Sequence, residues 1–216
     1  MGTLNEGKGR CLATSRLLVR PVRAVIELGA TRDVLSAVLR TVHHANRHGS
    51  VEDFIAIAFP AMKMGRETML PGDDLELIGS DASLGRLLEL EGLMTLKRRG
   101  MLEETYPAEL FADEGMTGAA YVRDRAVEKH TAGWIRRSEA RAARRAKPLG
   151  KAVKRREDDL KSLVLTYGST VLHIREVTGI FTDHPLLVST YGFSGAADPA
   201  ILPVLPDSAR KVDDAD

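Results

Sequence analysis

Hydrophobic positions in the first half of the chain alternate between strand-like and helical spacing. From residue 31 to 48 the apolar side chains recur every three or four positions, which predicts a helix with one buried face that Gly49 ends. Ser80 or Asp81 is placed to cap a second helix with the same spacing. Shorter apolar or alternating segments predict four strands, at residues 17–28, 54–59, 74–78 and 101–106. This order of strands and helices predicts an α+β protein with an amino-terminal ferredoxin-like (RRM-like) domain over residues 16–112.

The pattern changes after residue 112. An Ala- and Arg-rich helix is predicted over residues 131–147, where Pro148 and Gly150 end it. Short strands are predicted on both sides, at residues 119–127, 163–167, 171–177 and 186–191. We therefore expect a second, carboxy-terminal domain over residues 113–206, and disordered tails at residues 1–15 and 207–216.

Charge is concentrated in one part of this second domain. The net charge is +1, yet residues 133–156 contain ten lysines or arginines and a single acid, Glu139. Five arginines of the predicted helix lie on or beside one face: Arg136, Arg137, Arg141, Arg144 and Arg145. Such a block can be a solvated helix or a flexible linker, but its lack of acids favours a phosphate-binding surface. With few aromatic residues for base stacking, structured RNA is a better ligand than an open single strand, and DNA remains an alternative.

Other chemistry has little support. The chain has one cysteine, Cys11, so it forms no intramolecular disulfide and no multi-cysteine zinc site. His44 and His48 are spaced to share a helix face, but no third metal ligand is arranged nearby, and we expect neither a metal nor another cofactor. Walker, GxGxxG and GxSxG motifs are absent. Without a secretory signal or a membrane-spanning segment, the expected location is the cytoplasm.

Four stretches resemble the CRISPR repeat-RNA endoribonucleases of the type I-F class, and the resemblance extends from about residue 17 to 206. VLSAVLRTVHHANRHG, followed by FIAIAFP, is similar to the helix with the catalytic histidine and the next strand. GRETMLPGDDLELIGSDASLGRLLELEGL is similar to the Gly-led strand and second helix. YVRDRAVEKHTAGWIRRSEARAARR resembles the segment leading into the arginine-rich helix, and STYGFSGAADPAILPVLP resembles the carboxy-terminal block. The enzymes of type IV and transposon-associated CRISPR systems are similar as well.

The resemblance implies a set of site residues. His44 matches the catalytic histidine, Tyr191 the tyrosine of the terminal block, and Arg125 an arginine that reads the base of the RNA hairpin. Ser169 is chosen for the serine that steers the attacking hydroxyl, with Ser162 as the alternative. Proximity along the chain suggests Arg20, Arg23 or Arg40 for stabilising the phosphate, with Arg23 and Arg40 preferred. Val127 replaces a base-reading glutamine, so the repeat that is recognised should differ.

The implied activity is metal-independent cleavage of precursor CRISPR RNA. The 2′-hydroxyl attacks the adjacent phosphate and leaves a 2′,3′-cyclic phosphate, and the enzyme then stays bound to the guide RNA in an effector complex with other subunits. Two alternatives remain at this stage. One is a non-catalytic subunit that binds structured RNA, and the other is a DNA-binding regulator that uses the same basic helix.

Overall fold

The computed structural model describes residues 4–66, 68–125, 132–145, 162–167, 170–182 and 184–204, and these form a mixed α+β fold. The helices in this part of the chain are α1 (Arg23–Glu27), α2 (Thr31–His48), α3 (Asp81–Leu88), α4 (Glu91–Arg98) and α5 (Ala132–Arg145). The strands are β1 (Lys8–Cys11), β2 (Ser15–Val19), β3 (Ala56–Ala58), β4 (Lys63–Met64), β5 (Met69–Leu70), β6 (Leu75–Gly79), β7 (Ala108–Glu109), β8 (Thr117–Arg123), β9 (Leu163–Tyr167), β10 (Thr170–Ile180) and β11 (Leu186–Ser189). None of the described helices is long and apolar enough to cross a membrane.

One sheet has four strands in the order β3-β6-β2-β7, and every neighbouring pair is antiparallel. Helices α2, α3 and α4 contact one another, and α3 also contacts β2 and β6. The helical spacing of α2 buries one apolar stripe, which consists of Val34, Leu35, Val38, Leu39 and Val42. The predicted helix over residues 31–48 is thus confirmed, because an amphipathic repeat of this length leaves no other way to bury its apolar side chains.

The second sheet has five strands in the order β4-β5-β9-β10-β8. Its β5–β9 pair is parallel and its other pairs are antiparallel. Strand β1 pairs separately with β11, from Lys8↔Ser189 to Cys11↔Leu186. Residues from the two predicted domains therefore share a sheet, since β5 of the first pairs with β9 of the second. Strand β1, which lies in the predicted amino-terminal tail, pairs with β11 of the second domain.

Three predicted elements differ from the observed ones. The first fifteen residues are not all a loose tail, because residues 8–11 form β1 and bury Cys11. The predicted strand over residues 17–28 stops at Val19, and the chain turns at Pro21 into α1. The predicted strand over residues 101–106 contributes only an isolated bridge, Pro21↔Leu102, and the edge strand is β7 instead. In the last two segments, apolar alternation predicted strands but did not determine which backbone groups would pair.

Candidate functional site

Four polar side chains lie in successive turns near the carboxyl end of α2: Arg40, the adjacent pair His43 and His44, and Arg47. Their environments differ strongly. His43 is 9% exposed, whereas its neighbour His44 is exposed to solvent. Two adjacent positions on α2 therefore place one histidine in the interior and the other at the surface.

His43 belongs to a cluster of three rings, which we call the ring cluster: His43, Tyr167 and Tyr191. The imidazole of His43 stacks on Tyr191, with ring centroids 4.1 Å apart and an interplanar angle of 14°. Tyr167, the last residue of β9, meets both rings edge-on, with centroids 5.1 Å from each. Arg123, at the end of β8, places its guanidinium carbon 5.3 Å from the centroid of Tyr191. The cluster thus joins α2, β9, the end of β8 and the loop after β11.

Asn46 connects the helix to the loop that carries Tyr191. It lies one turn after His43, is 1% exposed, and donates from Nδ2 to the carbonyls of Ile55 at 2.9 Å and Thr190 at 3.3 Å. Its Oδ1 accepts a hydrogen bond of 2.8 Å from the Ile55 amide. Gly192 completes the loop with a φ of +79°, and a Cβ at that position would lie 2.7 Å from the side chain of Ile57. These contacts determine where Tyr191 sits relative to His43.

Burial and neighbouring charges lower the pKa of His43 below its ordinary value. Burial is the main cause; the Thr190 backbone opposes it, and the charges of Arg47 and His44 act with it. The buried Nδ1 of His43 has no hydrogen-bond partner among the described residues. A histidine with a lowered pKa is neutral at neutral pH, so it is in the form that accepts a proton.

Tyr167 is affected by the same arginines. Burial and the adjacent Tyr191 raise the pKa of Tyr167, while the positive charges of Arg40 and Arg47 act to lower it. Neither arginine side chain forms an ion pair or a hydrogen bond within the described part of the chain. Arg40 precedes His43 by three residues and Arg47 follows it by four, so both border the ring cluster at one helical turn, and both guanidinium groups remain available for an anion.

The structure brings together only some of the residues expected from the sequence. Tyr191 is in the ring cluster, and Arg40 borders it. His44 lies outside: its ring faces His48, with centroids 4.2 Å apart. Among the described residues, no three His, Cys, Asp or Glu side chains are grouped so that they could hold a metal ion.

The other phosphate-stabilising candidates are engaged elsewhere. Arg23 begins a helix rather than continuing a strand; its side chain is 90% exposed and pairs with Glu27, with 2.7 Å between Nε and Oε1. Arg20 forms two hydrogen bonds with Asp74, at 2.7 and 3.2 Å. Of the arginines proposed from proximity in the sequence, Arg40 is thus the one that borders the ring cluster.

Of the two candidate serines, only Ser162 lies within the described part of the chain. Ser169, the preferred one, lies outside the described residues, as does Val127. Ser162 is buried, with its Oγ 3.2 Å from Nδ1 of His173. Ser162 is therefore occupied away from the ring cluster.

The arginines expected to bind RNA are at the surface. Arg125 is exposed two residues after the end of β8, close in sequence to Arg123 of the site. All five arginines predicted to line the basic helix are exposed on α5: Arg136, Arg137, Arg141, Arg144 and Arg145.

The sequence favoured His44 over His43 and did not single out Tyr167, Arg47 or Arg123. One signal was available for His43, since it follows Leu39 by four residues and so lies beside the buried stripe of α2, whereas His44 follows the exposed Arg40. Tyr167 alternates with the buried Leu163 and Leu165 along β9, which marks its face but not its partners.

Comparison with known proteins identifies no relative. No family model matches the chain, and no curated protein matches it. One solved structure with some similarity is that of a candidate glycine cleavage system transcriptional repressor, 16% identical, with 82% of this chain and 81% of the other covered and a TM-score of 0.23. A superposition this poor carries no argument about shared fold or shared function.

Proposed function

We propose that the chain is a metal-independent endoribonuclease of the type I-F CRISPR class, which binds the repeat hairpin of precursor CRISPR RNA and cuts beside it. The observation that carries the proposal is the ring cluster, in which a buried histidine with a lowered pKa stacks on Tyr191 and has an arginine one helical turn away on either side along α2. The order of the four-stranded antiparallel sheet, β3-β6-β2-β7 with helices α2 and α3 in the connections, supports a ferredoxin-like arrangement for the part that carries His43.

In this proposal His43, rather than His44, is the general base. His43 removes the proton of the 2′-hydroxyl, the 2′-oxygen bonds to the adjacent phosphorus, and the bond from phosphorus to the 5′-oxygen breaks. The leaving oxygen takes up a proton from solvent, so the products are a 2′,3′-cyclic phosphate and a 5′-hydroxyl. Neutral imidazole is the competent form for the first step, which is the form that burial of His43 favours.

The neighbours of His43 have separate tasks. Tyr191 orients the imidazole by stacking, and Arg40 and Arg47 stabilise the negative charge that develops on the phosphorane. Tyr167 lies edge-on against both the imidazole and the Tyr191 ring, and so holds their stack in place. Tyr191 and Tyr167 are positioning residues here, and the arginines are the electrostatic ones.

The RNA hairpin binds to the basic surface of α5 together with Arg125. A row of exposed guanidinium groups suits the closely spaced phosphates of an A-form helix, which proteins recognise mainly by shape and backbone. Such an enzyme would act in the cytoplasm and keep the cut hairpin as part of an effector complex with the guide RNA.

The test is cleavage of a repeat hairpin RNA in EDTA, with product ends analysed. The wild-type protein should give a 2′,3′-cyclic phosphate. His43→Ala should reduce the rate by about 10²- to 10⁴-fold, which is the usual contribution of a general base, and change RNA affinity only a few-fold. The matched control is His44→Ala, which removes the adjacent exposed imidazole and should lower the rate far less than His43→Ala does.

Three outcomes would contradict the proposal. If His43→Ala cleaves at the wild-type rate, His43 is not the general base. If His44→Ala loses activity, His44 is the general base. Tight binding of hairpin RNA by an inactive wild-type protein would indicate a non-catalytic RNA-binding subunit. Stronger competition by duplex DNA of equal length would favour a DNA-binding regulator.

A further inference from the structure

A groove lies between α2 and α4, on the side of α2 that carries His44. It encloses a cavity of about 630 Å³, and its walls include Arg40, Thr41 and His44 of α2. Gly92 lets α4 approach closely, because a Cβ at that position would overlap the hydroxyl of Thr41. The groove is therefore formed by two helices in contact at its floor.

The groove carries net positive charge. Arg40 extends from α2, and Arg99 caps the end of α4; neither side chain forms an ion pair within the described ranges. The exposed His44 also lines the groove. The acid of the groove, Glu91, accepts hydrogen bonds from Thr95 and Arg98, so its charge is already neutralised. These features favour an anionic ligand.

Arg40 connects this groove to the ring cluster. It lines the groove, and it lies one helical turn before His43 and His44 on α2. A phosphate beside His43 would therefore lie about one helical turn from the groove, with Arg40 between them. A cavity of this size holds a small ligand, so it would admit a nucleotide or two of a single strand but not a duplex.

On the basis of the proposed function, we infer that the groove between α2 and α4 binds single-stranded RNA that continues from the scissile phosphate away from the hairpin. Arg99 and Arg40 contact its phosphates, and α2 separates this strand from the hairpin side, which Arg123 and Arg125 mark. The groove residues include no aromatic ring other than that of His44 for base stacking, so the strand is held by its backbone, with little preference for sequence.

The test compares two RNAs made uncleavable by a 2′-deoxynucleotide at the cutting position: the bare hairpin, and the hairpin with a short single-stranded extension beyond that position. The wild-type protein should bind the extended RNA about tenfold more tightly, as expected for a charge-assisted phosphate contact. Arg99→Ala should lose that difference and leave affinity for the bare hairpin unchanged. For Arg99→Ala with the extended RNA, the slope of log affinity against log salt concentration should become shallower by about 0.7.

The matched control is Arg32→Ala, which removes an exposed arginine from the first turn of α2, away from the groove, and should change neither affinity. Equal affinity of the wild-type protein for both RNAs would overturn the inference, as would an Arg99→Ala effect of the same size on both. Since neither RNA can be cut, the result does not depend on catalysis. If the protein binds the extended RNA more tightly but fails the cleavage test, the enzyme proposal is refuted and the assignment of the groove is kept. If it binds neither RNA, both proposals are overturned.

Discussion

Replacing Asn46 by alanine should destabilise the fold more than almost any other removal of a single polar side chain. The Asn46 amide is the partner of three backbone groups: the N–H and C=O of Ile55 and the C=O of Thr190. Each buried group left without a partner costs about 1–3 kcal/mol. Taking the lower value for each, since water can enter the small space left behind, gives a loss of about 3 kcal/mol. That is a large fraction of the roughly 5–15 kcal/mol by which a typical domain is stable.

Urea unfolding followed by far-UV circular dichroism measures this loss. The matched control is Asn5→Ala, since the Asn5 amide also donates two hydrogen bonds, to the carbonyls of Asn46 at 2.9 Å and Gly49 at 2.8 Å, but lies near the surface. Water can replace Asn5, so its loss should cost about 1 kcal/mol or less. A cost for Asn46→Ala no greater than that for Asn5→Ala would refute the reasoning and show that the loop with Tyr191 is held in place by other contacts.

Two further predictions concern charge. The pKa of His43 is lowered in the folded protein, so the unfolded chain binds a proton at this residue more readily. The free energy of unfolding should therefore be at its full value above about pH 6.5 and should decrease as the pH falls below that value. His43→Gln should show a smaller decrease in urea unfolding between about pH 7.5 and about pH 5.5, and an equal decrease in the two proteins would contradict the lowered pKa. Replacing the exposed Arg141 and Arg144 together by alanine should flatten the log–log salt dependence of hairpin binding by about one to two units with no loss of helix content. Coincident slopes in fluorescence-anisotropy titrations would show that α5 does not contact the RNA.

Local patterns predicted those elements whose residues interact mainly within a few turns or along one strand. The bounds of α2 agree with the prediction because its apolar repeat is long and Gly49 follows it. Strand β9 agrees as well, since its alternation is regular. Strand β1 was missed because KGRC contains one apolar residue, and its stability comes from pairing with β11, far along the chain. No local pattern encodes such a partner.

In the candidate site, too, some features follow from the local sequence and others depend on tertiary contacts. The sequence by itself determined that polar groups would gather near the end of α2 and that arginines would line α5, because both follow from helical spacing. Only the tertiary structure decided that His43 rather than His44 meets Tyr191, since the choice depends on which side of α2 is covered by β9 and by the loop that Asn46 holds. Adjacent residues on a helix point about 100° apart. When a sheet packs against one side of a helix, one of two adjacent residues is therefore buried and the other is exposed. The residues that cover His43, namely Tyr167 and Tyr191, lie more than a hundred positions away in the sequence.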